Sequence, residues 1–336
     1  KSYATLEDAI AGITNDFKSA KGTYNIHFRA DERLEKNLTV PACVEQLNLW
    51  SEGAGENGQA GQYLRVLDLN GYKLSTAAMV DVGNGLRLAS YALQEVTTGE
   101  NTEYVPIPGT LEITGKQAHA MRIHAEGTLV HDDDELTPVE GYGPAVENVT
   151  IMAKNGAVTL YCNIGEGNYQ NMGATSFNVK ELEVHRGTWK FKDVTATNIH
   201  VGAGTHEERD EFGNVISVSP FEKAGIHADN ITVNSGGRME VFGRVGTFEW
   251  TGGDVNRPNV TLNGAKLSVH RIDMEDDRWE SSECYLGKLT VKSAFGGESV
   301  GDYTVENNGQ FFLSELDAKA GTLANNGNMV VKTVTN

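Results

Sequence analysis

Asn230-Ile-Thr-Val233, Asn259-Val-Thr-Leu262 and Lys288-Leu-Thr-Val291 begin 29 and 29 residues apart. Each has the form polar, apolar, Thr, apolar, which is a strand period of two with the apolar pair on one face and Thr on the other. Related stretches are Asn37-Leu-Thr-Val40, Asn148-Val-Thr-Ile151 and Asp302-Tyr-Thr-Val305. A Gly-bearing turn and a second alternating strand follow several of them: Asn155-Gly156 before Val158 and Leu160, Gly236-Gly237 before Met239 and Val241, and Asn263-Gly264 before Leu267 and Val269. Asn-Gly turns could close antiparallel hairpins. A fixed interval with an in-register motif favours stacked coils instead, because Thr then lies over Thr and Val over Val. The expectation is an all-β chain wound as one parallel β-helix.

Outward from the repeat, the first twenty residues follow a different period. Thr5-Leu-Glu-Asp8 is a helix-capping pattern, and Leu6, Ala9, Ile10, Ile13 and Phe17 form an apolar stripe at helical spacing, with Gly22 as a stop. An amphipathic capping helix is predicted over residues 5–20, with Ile13 and Phe17 covering the open end of the first coil. Residues 23–336 are read as stacked coils, and residues 1–336 as one domain.

The chain of 336 residues carries 28 basic and 46 acidic side chains, a formal charge of −18. Such an excess of acid repels phosphate backbones, so nucleic acid is not an expected partner. No apolar run reaches the length of a membrane span. The 38 Gly and 27 Asn against 7 Pro suit many short strands joined by tight turns. Cys43, Cys162 and Cys284 are widely separated and have no metal-ligand spacing; Cys162 shares the parity of Val158 and Leu160 and reads as a small buried hydrophobe. No targeting segment is visible, which fits a chain whose leader has been removed.

Ala4-Thr-Leu-Glu-Asp-Ala-Ile10, Asn37-Leu-Thr-Val-Pro41 and Leu67-Asp-Leu-Asn-Gly-Tyr-Lys-Leu74 resemble the opening of bacterial right-handed β-helix surface proteins, pectin-lyase-like in fold and described as adhesins of gut Bacteroidetes. The resemblance extends over nearly the whole chain as a pattern of coils. It implies a secreted or cell-surface protein that binds a glycan or a host ligand without catalysis. Because the fold also carries lyases and hydrolases, a carbohydrate-active enzyme is the alternative, and a structural spacer a third.

Function is expected on coil faces and on the interruptions at 94–109, 131–145, 163–175, 202–223 and 271–286. The galacturonan-hydrolase signatures Asn-Thr-Asp and Gly-His-Gly are absent, and Arg271-Ile-Asp273 ends in an acid where that family has Lys. Trp279, in the charged run Arg271-Ile-Asp-Met-Glu-Asp-Asp-Arg-Trp-Glu280, could stack on a sugar ring beside Asp276 and Asp277, or fold back on the coil. Trp189 shares parity with Phe191 and reads as core. His185, His200, His227 and His270 occupy strand-like segments and read as coil-face residues. No cofactor motif is present. Asp132-Asp-Asp-Glu135 is either a solvated loop or a structural calcium site using Asp132 and Asp134. The Asn-x-Thr sequences at 37, 148, 230 and 259 match glycosylation acceptors in form but are the strand repeat itself.

Overall fold

The computed structural model describes residues 1–51, 65–83, 85–125, 129–132, 135–138, 144–162, 169–185, 187–202, 205–209, 215–220, 224–247, 256–273, 279–296 and 302–335; at 129–132, 135–138, 162, 169, 205–209, 215–220, 272–273 and 279–281 it describes the backbone alone. The fold is a parallel β-helix, with a main sheet of 22 strands and one helix, α1 (Leu6–Asn15), among the described residues. The chain divides into two compact units, Lys1–Lys180 and Glu181–Asn336.

In the second unit the 29-residue interval becomes a ladder. Thr195, Thr232, Thr261 and Thr290 lie side by side on successive coils. Beneath them run Val194, Ile231, Val260 and Leu289, each at most 1% exposed. Trp189 is fully buried and its strand pairs with Gly225–His227. Gly236 makes the bend between the two halves of the strand Asn230–Val241 at φ +76°. That left-handed backbone is where Gly is favoured.

The first unit has three parallel ladders. One runs through Leu38–Thr39, Lys73–Thr76, Gly109–Ile113 and the start of Val149–Cys162. The second joins Gly22–Phe28, Val44–Ser51, Met79–Val82, His119–Ala125 and the end of Val149–Cys162. The third is the short set Glu32–Arg33, Arg65–Asp68, Leu86–Ala89 and Val146–Glu147. Two of the repeat asparagines act where their strands begin. Asn37 Oδ1 accepts from the Lys73 amide, and Asn148 Oδ1, on a residue with φ +56°, accepts from the Ala174 amide.

Helix α1 is shorter than its stripe suggests. Thr5 Oγ1 accepts from the Asp8 amide, as the capping pattern requires, but the helix ends at Asn15, and Lys18 and Ser19 have φ near +55°. Asn15 and Asp16 are weak helix formers, and the turn they make carries Phe17 off the apolar stripe. Leu6, Ile10 and Ile13 are buried, Ile13 to 2% exposure, whereas Phe17 is 42% exposed and meets Tyr24 edge to face. The cap is therefore Leu6, Ile10 and Ile13, not Phe17. Gly22 starts the first strand instead of stopping the helix.

Four of the five sequence interruptions contain two-stranded antiparallel hairpins. They pair Leu93–Thr98 with Asn101–Pro106, Leu129–Asp132 with Glu135–Pro138, Thr205–Arg209 with Val215–Pro220, and Arg271–Asp273 with Trp279–Ser281.

Candidate functional site

Stacked coils turn outward side chains into columns, because parallel strands sit about 4.8 Å apart and hold their register. In the first unit one column is Asn25, Asn48, Asp81, Arg122 and Thr159. The Asn48 amide nitrogen donates to Asn25 Oδ1 at 2.6 Å, and its oxygen accepts from Gln46 Nε2 at 2.9 Å. Two residues further along each strand lies a second column: His27 beside Trp50, then Gly83, then His124 beside Tyr161. The His27 and Trp50 rings are 5.5 Å apart and nearly perpendicular; those of His124 and Tyr161 are 5.8 Å apart. Gly83 puts no side chain into the middle of the column, where His124 packs close: a Cβ there would stand 3.3 Å from the His124 Cβ. His124 Nε2 is 3.6 Å from Asp81 Oδ1. Partly exposed rings alternate with amide and carboxylate acceptors, the surface that a ligand with apolar faces and hydroxyl edges requires.

The second unit carries a different array. His200 stands between two carboxylates, with Nε2 3.1 Å from Glu181 and Nδ1 3.2 Å from Glu240. Glu240 also approaches His270 Nε2, at 3.7 Å, and the His270 ring stacks on Phe242 at 4.0 Å. Strand register continues the column from His200 through Glu240 and Ser268 to Glu306. Lys266 holds Glu306 at 3.2 Å. Burial raises the Glu306 carboxyl, but the hydrogen bonds from Lys266 and Asn308 outweigh it and hold it below the ordinary carboxylate range. Burial pushes His270 down, against Glu240 and Glu306. This array presents carboxylates on neighbouring coils, each engaged by an imidazole or an ammonium.

A third feature is a cavity of about 470 Å3 in the first unit, between α1 with the segment before it and the strand Gly22–Phe28. Leu6, Ile13, Ile26 and Phe28 give it apolar walls, and Arg29 and Glu32 stand at its margin. Glu32 is occupied as an acceptor for the Leu6 amide, so it serves the cap.

Asp134, Asp276 and Asp277 are outside the described residues. Asp132 ends a hairpin strand opposite Glu135, and Trp279 pairs with Asp273 in another, both as backbone only. Among the described residues no group of three or more His, Cys, Asp or Glu side chains could hold a metal ion. Cys284 is fully buried, and burial pushes its thiol up. Trp50 is not among the residues that the sequence motifs single out. Its signal was parity: in Leu47-Asn48-Leu49-Trp50 the leucines point inward, so Trp50 shares the outward side with Asn48.

Among the described residues no helix is long and apolar enough to cross a membrane. Comparison of the chain with protein-family models, with curated proteins and with solved structures found no match.

Proposed function

We propose that this chain is a non-catalytic, extracellular β-helix protein that binds a glycan on the outward face of its first unit. The observation that supports the reading is the His27–Trp50–Gly83–His124–Tyr161 column beside Asn25, Asn48, Asp81 and Arg122. Trp50, partly exposed, offers ring surface for a sugar ring, and Asn25, Asp81 and Arg122 of the neighbouring column supply hydrogen-bonding partners for hydroxyls. Location at a cell surface, and adhesion as the biological use, are part of the same proposal and follow from the sequence resemblance.

The carboxylates of the second unit favour an alternative, carbohydrate cleavage. A glycosidase needs one carboxylic acid kept protonated to donate to the leaving oxygen. Glu306 is shifted the opposite way, and Glu181 and Glu240 both face His200. Binding is the better account.

The test is a glycan array of neutral and acidic oligosaccharides probed with the chain and with Trp50→Ala. At least one glycan class should bind, and the variant should lose tenfold or more of that affinity with unchanged thermal stability. Binding that survives Trp50→Ala, or release of reducing ends from the bound glycan, would refute the reading.

A further inference from the structure

In the first hairpin, Leu93–Thr98 with Asn101–Pro106, every residue from 93 to 105 is exposed. Leu93 is 57% exposed and Tyr104 65%. An isolated two-stranded hairpin is marginally stable in water, yet the base of this one is firmly fixed. The buried Asp68 carboxylate accepts from the amides of Asn70 and Tyr91 at 2.8 and 3.0 Å, and pairs with Arg33. Ser90 Oγ accepts from the Gly71 amide and donates to the Ile107 carbonyl at 2.7 Å.

The register shows which backbone groups are free to pair. Ile107 donates to the Ala92 carbonyl, so Ala92 and Ile107 are a hydrogen-bonded pair, and pairs of that kind recur at every second residue. Gln94 with Val105, Val96 with Glu103 and Thr98 with Asn101 are therefore the bonded pairs. The N–H and C=O groups of Leu93, Glu95 and Thr97 point out from one edge, and those of Thr102, Tyr104 and Pro106 from the other. Pro106 has no N–H, which blunts its edge. The Leu93–Thr98 edge is complete, and no third strand lies on it among the described residues.

Native proteins usually protect such an edge with Lys, Pro or a bulge. Here its central residue is Glu95, Glu100 and Glu103 stand nearby, and no Lys or Arg occurs between Arg87 and Lys116. Two copies paired edge to edge would bring these carboxylates together in a chain already at −18. An apolar residue beside Leu93 and a cation opposite Glu95 would instead be favourable cross-strand pairs. We infer that the outer edge of Leu93–Thr98 docks an extended, cationic segment of another protein, which adds to the hairpin as a third strand. Backbone pairing supplies affinity, and an apolar and a basic side chain two residues apart, on the face that carries Leu93 and Glu95, supply selectivity.

The probe is a fluorescein-labelled eight-residue peptide, Thr-Val-Thr-Lys-Thr-Val-Thr-Lys, with the same peptide carrying Glu in place of Lys as control, titrated onto the full chain by fluorescence anisotropy. The Lys peptide should bind at least tenfold more tightly and should slow amide exchange at Leu93, Glu95 and Thr97. Glu95→Lys should reverse the preference. Thr97→Pro, which removes one outward N–H and leaves the bonded pairs in place, should abolish exchange protection. Binding untouched by Thr97→Pro would reveal charge adsorption and overturn the assignment. Concentration-dependent protection of the same amides without peptide would overturn it in favour of a second copy.

Discussion

Replacing Ile13 by Ala tests how the first coil is closed. Ile13 is 2% exposed and lies on the buried side of α1, so its loss removes well-packed apolar contact. Large-to-small core substitutions of this kind cost about 2–5 kcal/mol. Ile13 also lines the cavity of about 470 Å3, so part of its surface already lacks neighbours, and the cost should fall near about 2 kcal/mol. Phe17, 42% exposed, touches Tyr24 at 6.0 Å between ring centres. Phe17→Ala should cost under about 1 kcal/mol. In a stacked-coil protein local opening is not reported by one melting temperature, so the measurement is native-state amide exchange at Gly22–Phe28 and Val44–Ser51. Ile13→Ala should lower the opening free energy there, with little change in the second unit. If Phe17→Ala opened the first coil as far as Ile13→Ala, or Ile13→Ala left it unchanged, the cap would be wrongly assigned.

Two further outcomes are expected. Burial, with Lys190 and Arg244 adding to it, pushes His227 down to about 4 from 6.5, so between those values the unfolded chain takes up a proton that the folded chain refuses. This contribution is complete above pH 6.5 and is lost as pH falls toward 4, by up to about 3 kcal/mol; urea midpoints across that window should show the loss in the parent and not in His227→Gln, and equal profiles would contradict it. At the bend of Asn230–Val241, a Cβ on Gly237 would lie 1.8 Å from the Thr197 carbonyl oxygen, whereas one on Gly236 meets nothing within 4 Å and suffers only its φ of +76°. Gly237→Ala should therefore cost about 3 kcal/mol and Gly236→Ala about 1 kcal/mol in denaturant melts; the reverse order would contradict the geometry.

The alternation of side chains, the Thr repeat and the first-turn cap were legible in the sequence because each depends on residues close together along the chain. A period of two assigns Val194, Ile231 and Val260 to the core wherever their coils lie, and Thr5-Leu-Glu-Asp8 closes its own hydrogen bond. The 29-residue interval was visible only where coils have equal length. In the candidate site they do not: Asn25 to Asn48 is 48 − 25 = 23 residues, Asn48 to Asp81 is 81 − 48 = 33, and Asp81 to Arg122 is 122 − 81 = 41. Unequal excursions between coils erase the column from the sequence, and only register restores it. Tertiary packing also decided that Phe17 lies outside the cap, that His200 stands between Glu181 and Glu240, and that Trp50 meets His27 across a coil boundary. Local pattern fixes which face a residue takes; the hydrogen-bonded stacking of distant segments chooses its neighbours.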